Sequence, residues 1–219
     1  MQTAAPESIL TQLRWRYAVK KFDALKKIPD ATWDTIEDAM VLAPSSYGLQ
    51  PWKFLVVTDP AVRAKLKAHS WNQAQITDAS HMVIFAQKLE VNNADIEHYV
   101  QRIMQVRGGG LNPALVGYRG MMISALANPA QVPGGSMLTY TRSQTYIALA
   151  FALYTAALLG IDACPMEGID APKYDEMLGL KARGLHASVV ATFGYRASDD
   201  SLASLPKVRF DKSEIIEHI

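Results

Sequence analysis

YIALAFALYTAALLGI, residues 146–161, is the longest apolar run in this chain of 219 residues. It contains the polar Thr155 and is shorter than the ~20 residues that a helix needs to cross a bilayer. Residues 138–160 around it are apolar on almost every face, which is typical of a helix enclosed by protein. The sequence therefore predicts a central buried helix. It is more apolar than one subunit of this size usually requires, so we infer a homodimer whose core includes it.

The composition is that of a globular protein rather than a disordered one. Apolar residues make up 49% of the chain and charged residues 20%, which predicts one domain spanning residues 1–219. The net charge is +1 and no dense block of Lys and Arg occurs, which argues against nucleic acid as a partner. The single Cys164 excludes an internal disulfide and a Cys-based metal site. The N-terminus lacks a signal-peptide pattern, so we expect a cytoplasmic protein without a membrane partner.

Helical and strand patterns alternate on both sides of the central helix. Periodicity predicts helices over residues 6–17, 30–43, 60–70, 92–106 and 172–179, and apolar runs predict strands at 53–57, 81–87 and 188–195, with a strand or turn at 162–166. Residues 112–136 are less regular and predict short helices around Met121 and Met122, then a loop at 133–136. The alternation indicates an α/β or α+β layered domain.

Cations form three clusters that together could hold a phosphate. They are Arg14/Arg16 with Lys20/Lys21, then Lys26/Lys27, and finally Lys207/Arg209. Arg16 and Lys20 share a face if their helix continues, and Lys207 and Arg209 share one side of an extended segment. Converging donors of this kind bind phosphates or anionic rings. Taken alone, however, each cluster is more often a solvated basic face.

Two loops combine small and polar residues next to predicted strands. Ser45 and Ser46 offer hydroxyls and backbone N–H groups that suit a phosphate or a polar ring edge, although an ordinary helix-ending turn has the same composition. In CPMEGID, residues 164–170, Gly168 allows the main chain to approach a flat ligand closely. The alternative is a plain loop in which Asp170 caps the next helix.

Other signatures of catalysis are missing from the sequence. The five histidines show no ligand spacing, and there is neither a nucleophile elbow nor a Walker loop. The run Gly108–Gly110 follows a helix and is best read as its stop. We therefore expect no metal site and no hydrolase chemistry.

Five segments in a fixed order resemble one known family. They are RYAVKKFD (16–23), PSSYGLQPWKF (44–54), DASH (78–81), PMEGID (165–170) and LPKVRF (205–210). Together they resemble the FMN-dependent nitroreductase family, in its branch of oxygen-insensitive NAD(P)H nitroreductases and dihydropteridine reductases. The resemblance runs from about residue 10 to about 210 and is weakest at 90–136. It implies an α+β fold with a mixed central sheet flanked by helices, in an intertwined homodimer with two FMN sites at its interface.

The resemblance also implies which residues hold the flavin. Arg16, Lys207 and Arg209 would bind the phosphate, Lys20 would stabilise negative charge on the reduced ring, and Asn72 would bond the pyrimidine edge. The backbone of Glu167 and its neighbours would face flavin N5 and O4, while the serine loop and Gln144 would come from the partner subunit. The full implied set is Arg16, Tyr17, Ala18, Lys20, Pro44, Ser45, Ser46, Gly48, Asn72, Gln75, Gln144, Pro165, Met166, Glu167, Gly168, Lys207 and Arg209.

Three positions depart from the family pattern. Ala18 stands where a serine commonly helps to hold the phosphate, and Gly48 stands where an asparagine is common. Gln75 replaces a second lysine near the flavin, which removes one positive charge. We therefore expect a lower flavin reduction potential than in relatives that carry the lysine.

The activity implied by the resemblance is a two-step hydride transfer through the flavin. NADH or NADPH would reduce flavin N5 and leave, and a nitroaromatic, quinone or similar flat acceptor would then bind in its place, without an acid or base from the protein. Tyr47, Trp71, Tyr118, Met121 and Met122 are candidate walls of the acceptor pocket, with core packing as the alternative. Enone or flavin reduction, dehalogenation and non-catalytic flavin binding are the competing functions.

Overall fold

The computed structural model describes residues 3–128 and 132–219, in which helices pack on a central sheet. The helices are α1 (Pro6–Trp15), α2 (Asp30–Val41), α3 (Pro60–Ala68), α4 (Gln75–Asp78), α5 (Asn93–Arg107), α6 (Pro113–Ala127), α7 (Met137–Leu158), α8 (Ala171–Leu178) and α9 (Lys212–Ile215). The strands are β1 (Trp52–Val56), β2 (His81–Lys88), β3 (Asp162–Met166) and β4 (Leu185–Gly194). No helix within these residues has the length and apolarity required to cross a membrane.

The four strands pair in the order β1-β2-β4-β3, and each neighbouring pair is antiparallel. A parallel contact is added at the β3 edge, where Ala18 forms an isolated bridge with Ala163. The expected α+β architecture with a central sheet and flanking helices is confirmed. Its parallel component is limited, in the part of the chain described, to that one bridge.

Helix α7 covers one face of the sheet with its small residues. Ala148, Ala152 and Ala156 are buried against Phe85 and Phe193. Because alanines recur every four residues, they lie on one face and let the helix approach the strands closely. The predicted central helix is confirmed, but its burial is one-sided. Its outer face exposes the apolar side chains Ile147, Phe151 and Leu158.

The opposite face of the sheet is covered by α3, α4 and α8. The buried Arg63 of α3 donates its guanidinium to the carbonyl oxygens of Ile76 and Ala79, both at 2.6 Å, and of Ser80 at 3.3 Å. Those carbonyls belong to the short helix α4 and to the two residues that connect it to β2, and carbonyls at a helix end lack intrahelical partners. Arg63 therefore fixes the turn that leads into β2.

The observed helix ends differ from the predicted ones by one or two residues in most cases, and two of the differences bear on the site. Helix α1 ends at Trp15 rather than at residue 17, because Arg16 is extended (φ −67°, ψ 141°) and the chain turns to pair with β3. The predicted shared helix face of Arg16 and Lys20 is therefore wrong. Residues 113–127 form one helix rather than several short ones, because Asn112 caps its N-terminus by accepting the Leu115 N–H at 2.9 Å. Of the predicted segment 112–136, residues 129–131 lie outside the described residues.

Candidate functional site

A cavity of about 880 Å³ lies just beyond the end of β3, and another of about 710 Å³ lies beside Pro165 of β3. We call the second one the cation cavity, because the extended segment after α1 meets the C-terminal segment there. It contains seven of the predicted residues: Arg16, Tyr17, Ala18, Lys20, Pro165, Lys207 and Arg209. The structure thus brings together two cationic segments that are separated by almost the whole sequence.

The charges in the cation cavity repel one another. Burial lowers the pKa of Arg16, and the charge of Arg209 lowers it further. Burial likewise lowers the pKa of Lys207, with added repulsion from Arg16 and Arg209. Among the described residues, none of these three side chains nor that of Lys20 forms an ion pair with an acid. Such unpaired, partly desolvated cations favour an anion, which would relieve the repulsion.

Asp200 holds in place the segment that lines one side of this cavity, although no sequence pattern marks it. Its carboxylate accepts hydrogen bonds from the Tyr17 hydroxyl at 3.0 Å, the Lys20 N–H at 3.0 Å and the Lys21 N–H at 3.1 Å. Burial acts to raise the pKa of Asp200, but these donors and the Leu202 N–H prevail, so that the pKa is lowered. Asp200 therefore fixes the main chain from which Lys20 extends.

A fifth cation of the cavity, Arg196, is already neutralised. It forms a two-pronged ion pair with the buried Asp162, with N–O distances from 2.6 to 3.0 Å, and its guanidinium lies over the rings of Trp15 and Tyr17. Both residues are unremarkable in sequence, where nothing indicates that they meet. Their pairing leaves Arg196 as a support for the α1 end rather than a free anion ligand.

Next to the cavity, the segment 165–168 meets a second loop. The Asp170 N–H donates to the His69 carbonyl oxygen at 2.8 Å, and a Cβ at Gly168 would lie 2.8 Å from Cε3 of Trp71. A side chain at position 168 would therefore displace the indole, which is 81% exposed. Trp71 and Asn72 both have positive φ, at 53° and 56°, a conformation that few residues other than Gly and Asn adopt. The structure thus places the Trp71 indole over Gly168, with Asn72 next to it in the chain.

Gln75 connects these loops with the cation cavity. Burial raises the pKa of the Cys164 thiol, while the charge of Lys20 and a hydrogen bond from Gln75 act in the opposite direction. Gln75 itself is 5% exposed. A charge introduced at position 75 would therefore act close to Lys20 and at low solvent exposure.

The Glu167 side chain lies against α7, in the cavity beyond the end of β3. Its carboxylate accepts hydrogen bonds from the Tyr146 hydroxyl and from Arg142, which also lies over the Tyr146 ring at 5.4 Å from the centroid. Met166, just before it, is buried, so that only its main chain is available to a ligand. Segment 165–168 consequently offers mainly backbone groups.

The serine loop, residues 44–50, lies near β1, whereas the cation cavity lies at β3. These strands are the two edges of the sheet, separated by three strand spacings of ~4.8 Å each. Gln144 accepts the Ser46 N–H at 2.8 Å, and the Tyr140 hydroxyl donates to the Ser46 carbonyl at 3.2 Å. No hydrogen bond or ion pair between described residues joins this loop to the cation cavity.

Helices α5 and α6 hold the tip of the serine loop. The Tyr118 hydroxyl donates to the Tyr47 carbonyl at 2.9 Å, and a Cβ at Gly48 would lie 2.1 Å from Oη of Tyr99. Tyr47 and Gly48 both have positive φ. Of the candidate pocket walls in α6, Met121 is half exposed, whereas Met122 is fully buried, so the core-packing alternative applies to Met122.

These features define an α+β protein with a candidate anion site at one edge of its sheet. The chain belongs to the Nitroreductase family, whose model matches residues 13–195. It is 37% identical to a candidate NAD(P)H nitroreductase from Staphylococcus epidermidis over an alignment of 228 positions that covers 97% of each chain.

Two solved structures share the fold at lower identity. A nitroreductase-like protein from Streptococcus mutans has a TM-score of 0.84 at 20% identity, covering 98% of this chain and 100% of the other. A candidate nitroreductase from Exiguobacterium sibiricum, solved in complex with FMN, has a TM-score of 0.77 at 21% identity, covering 100% and 99%. The family expected from the sequence is confirmed.

Proposed function

We propose that the protein is an FMN-dependent NAD(P)H oxidoreductase that reduces nitroaromatics, quinones or similar flat acceptors. The observation that carries the proposal is the cation cavity, in which Arg16, Lys207 and Arg209 converge without an acidic partner among the described residues. A phosphate monoester carries close to two negative charges and suits such a cluster. The FMN complex of the Exiguobacterium relative and the NAD(P)H named for the staphylococcal relative support the same assignment.

The residues around the cavity fit the remainder of FMN. When bound, the flavin supplies the ring that accepts and donates hydride. Pro165 leads from the phosphate end toward Gly168, where the exposed Trp71 indole lies over the main chain and would move aside for a flat ring. Lys20 stands where it stabilises negative charge on that ring, and Asn72 offers an amide to its polar edge. These residues position the flavin and neutralise its negative charge, and none of them serves as an acid or base.

The proposal includes a homodimer with each flavin between two subunits. Within one subunit the serine loop lies at the sheet edge opposite the cation cavity, so Pro44, Ser45 and Ser46 are placed to reach the flavin of a partner. The exposed apolar residues Ile147, Phe151 and Leu158 of α7 offer a surface for that partner. We place the dimer, with residues 1–219 as one domain, in the cytoplasm, which supplies reduced nicotinamide cofactors.

The phosphate anchor is tested by Arg16→Ala and Arg209→Ala. Each should weaken FMN binding by ~1.5–3 kcal/mol, the value of a charged hydrogen bond, which is about a tenfold to hundredfold rise in Kd. Flavin fluorescence titrations of the apoprotein measure this, and riboflavin, which lacks the phosphate, should bind all forms alike. Arg183→Ala, at an exposed arginine away from the cavity, is the control. Unchanged FMN affinity in both cavity variants would contradict the proposed site.

Turnover separates the reductase from its alternatives. The flavin-loaded protein should oxidise NADH or NADPH faster when menadione or nitrofurazone is added. Faster turnover with an α,β-unsaturated ketone than with either acceptor would favour enone reduction instead. No acceptor-dependent oxidation of either nicotinamide would indicate a flavin-binding protein without this activity.

A further inference from the structure

The hydroxyl of Tyr99 occupies the space of the side chain that position 48 lacks. A Cβ built on Gly48 would lie 2.1 Å from Oη and 2.7 Å from Cζ of Tyr99. Gly48 also has a φ of +75°, so this position combines two reasons for glycine. The tip of the serine loop is therefore backed by a phenol from α5.

This hydroxyl is free, whereas those of two neighbouring tyrosines are used. Tyr118 donates to the Tyr47 carbonyl and Tyr140 donates to the Ser46 carbonyl, which holds the loop in place. Tyr99 is half-buried, and its hydroxyl has no hydrogen-bond partner among the described residues. A partly desolvated O–H without a partner is available to a ligand.

Tyr47, Tyr99 and Tyr118 form one aromatic group. Burial raises the pKa of Tyr118, and the proximity of Tyr99 and Tyr47 raises it further. The group offers hydroxyl groups together with ring surfaces. Flat apolar ligands with oxygen acceptors match both properties.

We propose that Tyr99 is a specificity-determining residue whose hydroxyl donates a hydrogen bond to a nitro or carbonyl oxygen of the acceptor. This inference rests on the proposed function, since it places the serine loop beside the flavin of the partner subunit. The ring of Tyr99, on α5, packs against Gly48 of the loop. Its Oη is therefore a polar group next to the loop at this point. A glycine at position 48 is what leaves room for this contact.

The test is Tyr99→Phe in the flavin-loaded protein, because it removes the hydroxyl and keeps the ring. KM for menadione and nitrofurazone should rise about three- to tenfold, the effect of one lost neutral hydrogen bond. The rate of flavin reduction by NADH or NADPH in anaerobic stopped flow should stay within about twofold, since that step does not involve the acceptor. Oxidation by ferricyanide, which needs no docked ring, should also be unchanged.

The matched control is Tyr195→Phe, which removes another hydroxyl that has no side-chain hydrogen bond in the described structure and packs against the core beside α7. Its KM values should equal those of the unsubstituted protein. An unchanged KM in flavin-loaded Tyr99→Phe would overturn the inference, as would an equal loss in the flavin-reduction step. Absence of flavin from the unsubstituted protein would instead overturn the proposed function, a result distinct from either.

Discussion

At the residue scale, the structure shows which groups surround the three positions that depart from the family pattern. Gly48 is required by its positive φ and by the phenol of Tyr99, which leaves no room for an asparagine side chain. Ala18 takes part in the backbone bridge to Ala163, and its side chain adds no donor to the cavity. Gln75 lies close to Cys164 and, through it, to Lys20. Of the three departures, the one at Gln75 changes the charge next to the proposed flavin, because it replaces a lysine.

Gln75→Lys should raise the two-electron reduction potential of the bound flavin. A positive charge at this position favours the negatively charged reduced ring, and a charge interaction of roughly 1.4 kcal/mol corresponds to about 30 mV for a two-electron couple. Redox titration against a reference dye measures the shift. Gln75→Met is the neutral control, which removes the hydrogen bond to Cys164 without adding charge. Equal potentials in the Lys and Met variants would disprove the electrostatic explanation.

At the scale of elements, the cation cavity depends on a contact between two loops. The segment after α1 has no regular structure of its own and is held by Asp200, which binds the main chain at Lys20 and Lys21 and the hydroxyl of Tyr17. Asp199, its neighbour, is exposed and, among the residues that the structure describes, forms an ion pair with the Lys21 side chain alone. The two adjacent acids therefore differ in burial and in the number of donors that they bind.

Asp200→Asn should lower the free energy of unfolding at pH 7 by about 2 kcal/mol, because charged hydrogen bonds are lost. The pKa of Asp200 is lowered in the folded state. The ionised carboxylate therefore stabilises the fold above its unfolded pKa of about 3.9, and this contribution is lost as pH falls through the lower folded value. Urea unfolding at pH 7 and near pH 3 should show the difference shrinking at low pH. Asp199→Asn is the control and should change little, since exposed pairs contribute little.

The elements differ in how far the sequence predicts them. Helix α3 and strand β4 follow from local patterns, a Pro at the first helical position and a run of β-branched residues. The end of α1 does not, because the chain leaves the helix to pair with Ala163, a residue distant in sequence. The same reason hides Asp200 and Tyr99, whose importance comes only from partners that folding brings to them. The cavity's cations were predictable through the resemblance rather than from their spacing.

At the scale of the whole molecule, the outer face of α7 exposes apolar side chains that the subunit itself does not cover. Ile147, Phe151 and Leu158 follow one another at helical spacing and remain 37–42% exposed. Such a stripe is unusual on the surface of a monomer and typical of an interface. In the proposed dimer, the partner subunit covers this stripe. The same association brings the serine loop of one subunit to the flavin site of the other.

Phe151→Glu should convert the dimer into monomers and also release FMN, because each flavin would lose the contacts from the partner's loop. Sedimentation velocity and the ratio of flavin to protein absorbance measure the two effects. Val106→Glu, at an exposed valine of α5, introduces the same charge away from α7 and should alter neither. A Phe151→Glu protein that stays dimeric, or a monomer that keeps its FMN, would contradict the shared site.

The hydrogen bond between Tyr17 and Asp200 also constrains the order of synthesis and folding. It spans 183 residues, and the Lys207 side chain reaches back 191 residues to the Arg16 carbonyl. Contacts of such length form late, because a long loop must close before they are gained. The cation cavity cannot exist on a nascent chain in which residues 200–209 have not yet been made. We therefore expect the proposed capture of FMN to follow the synthesis of that segment.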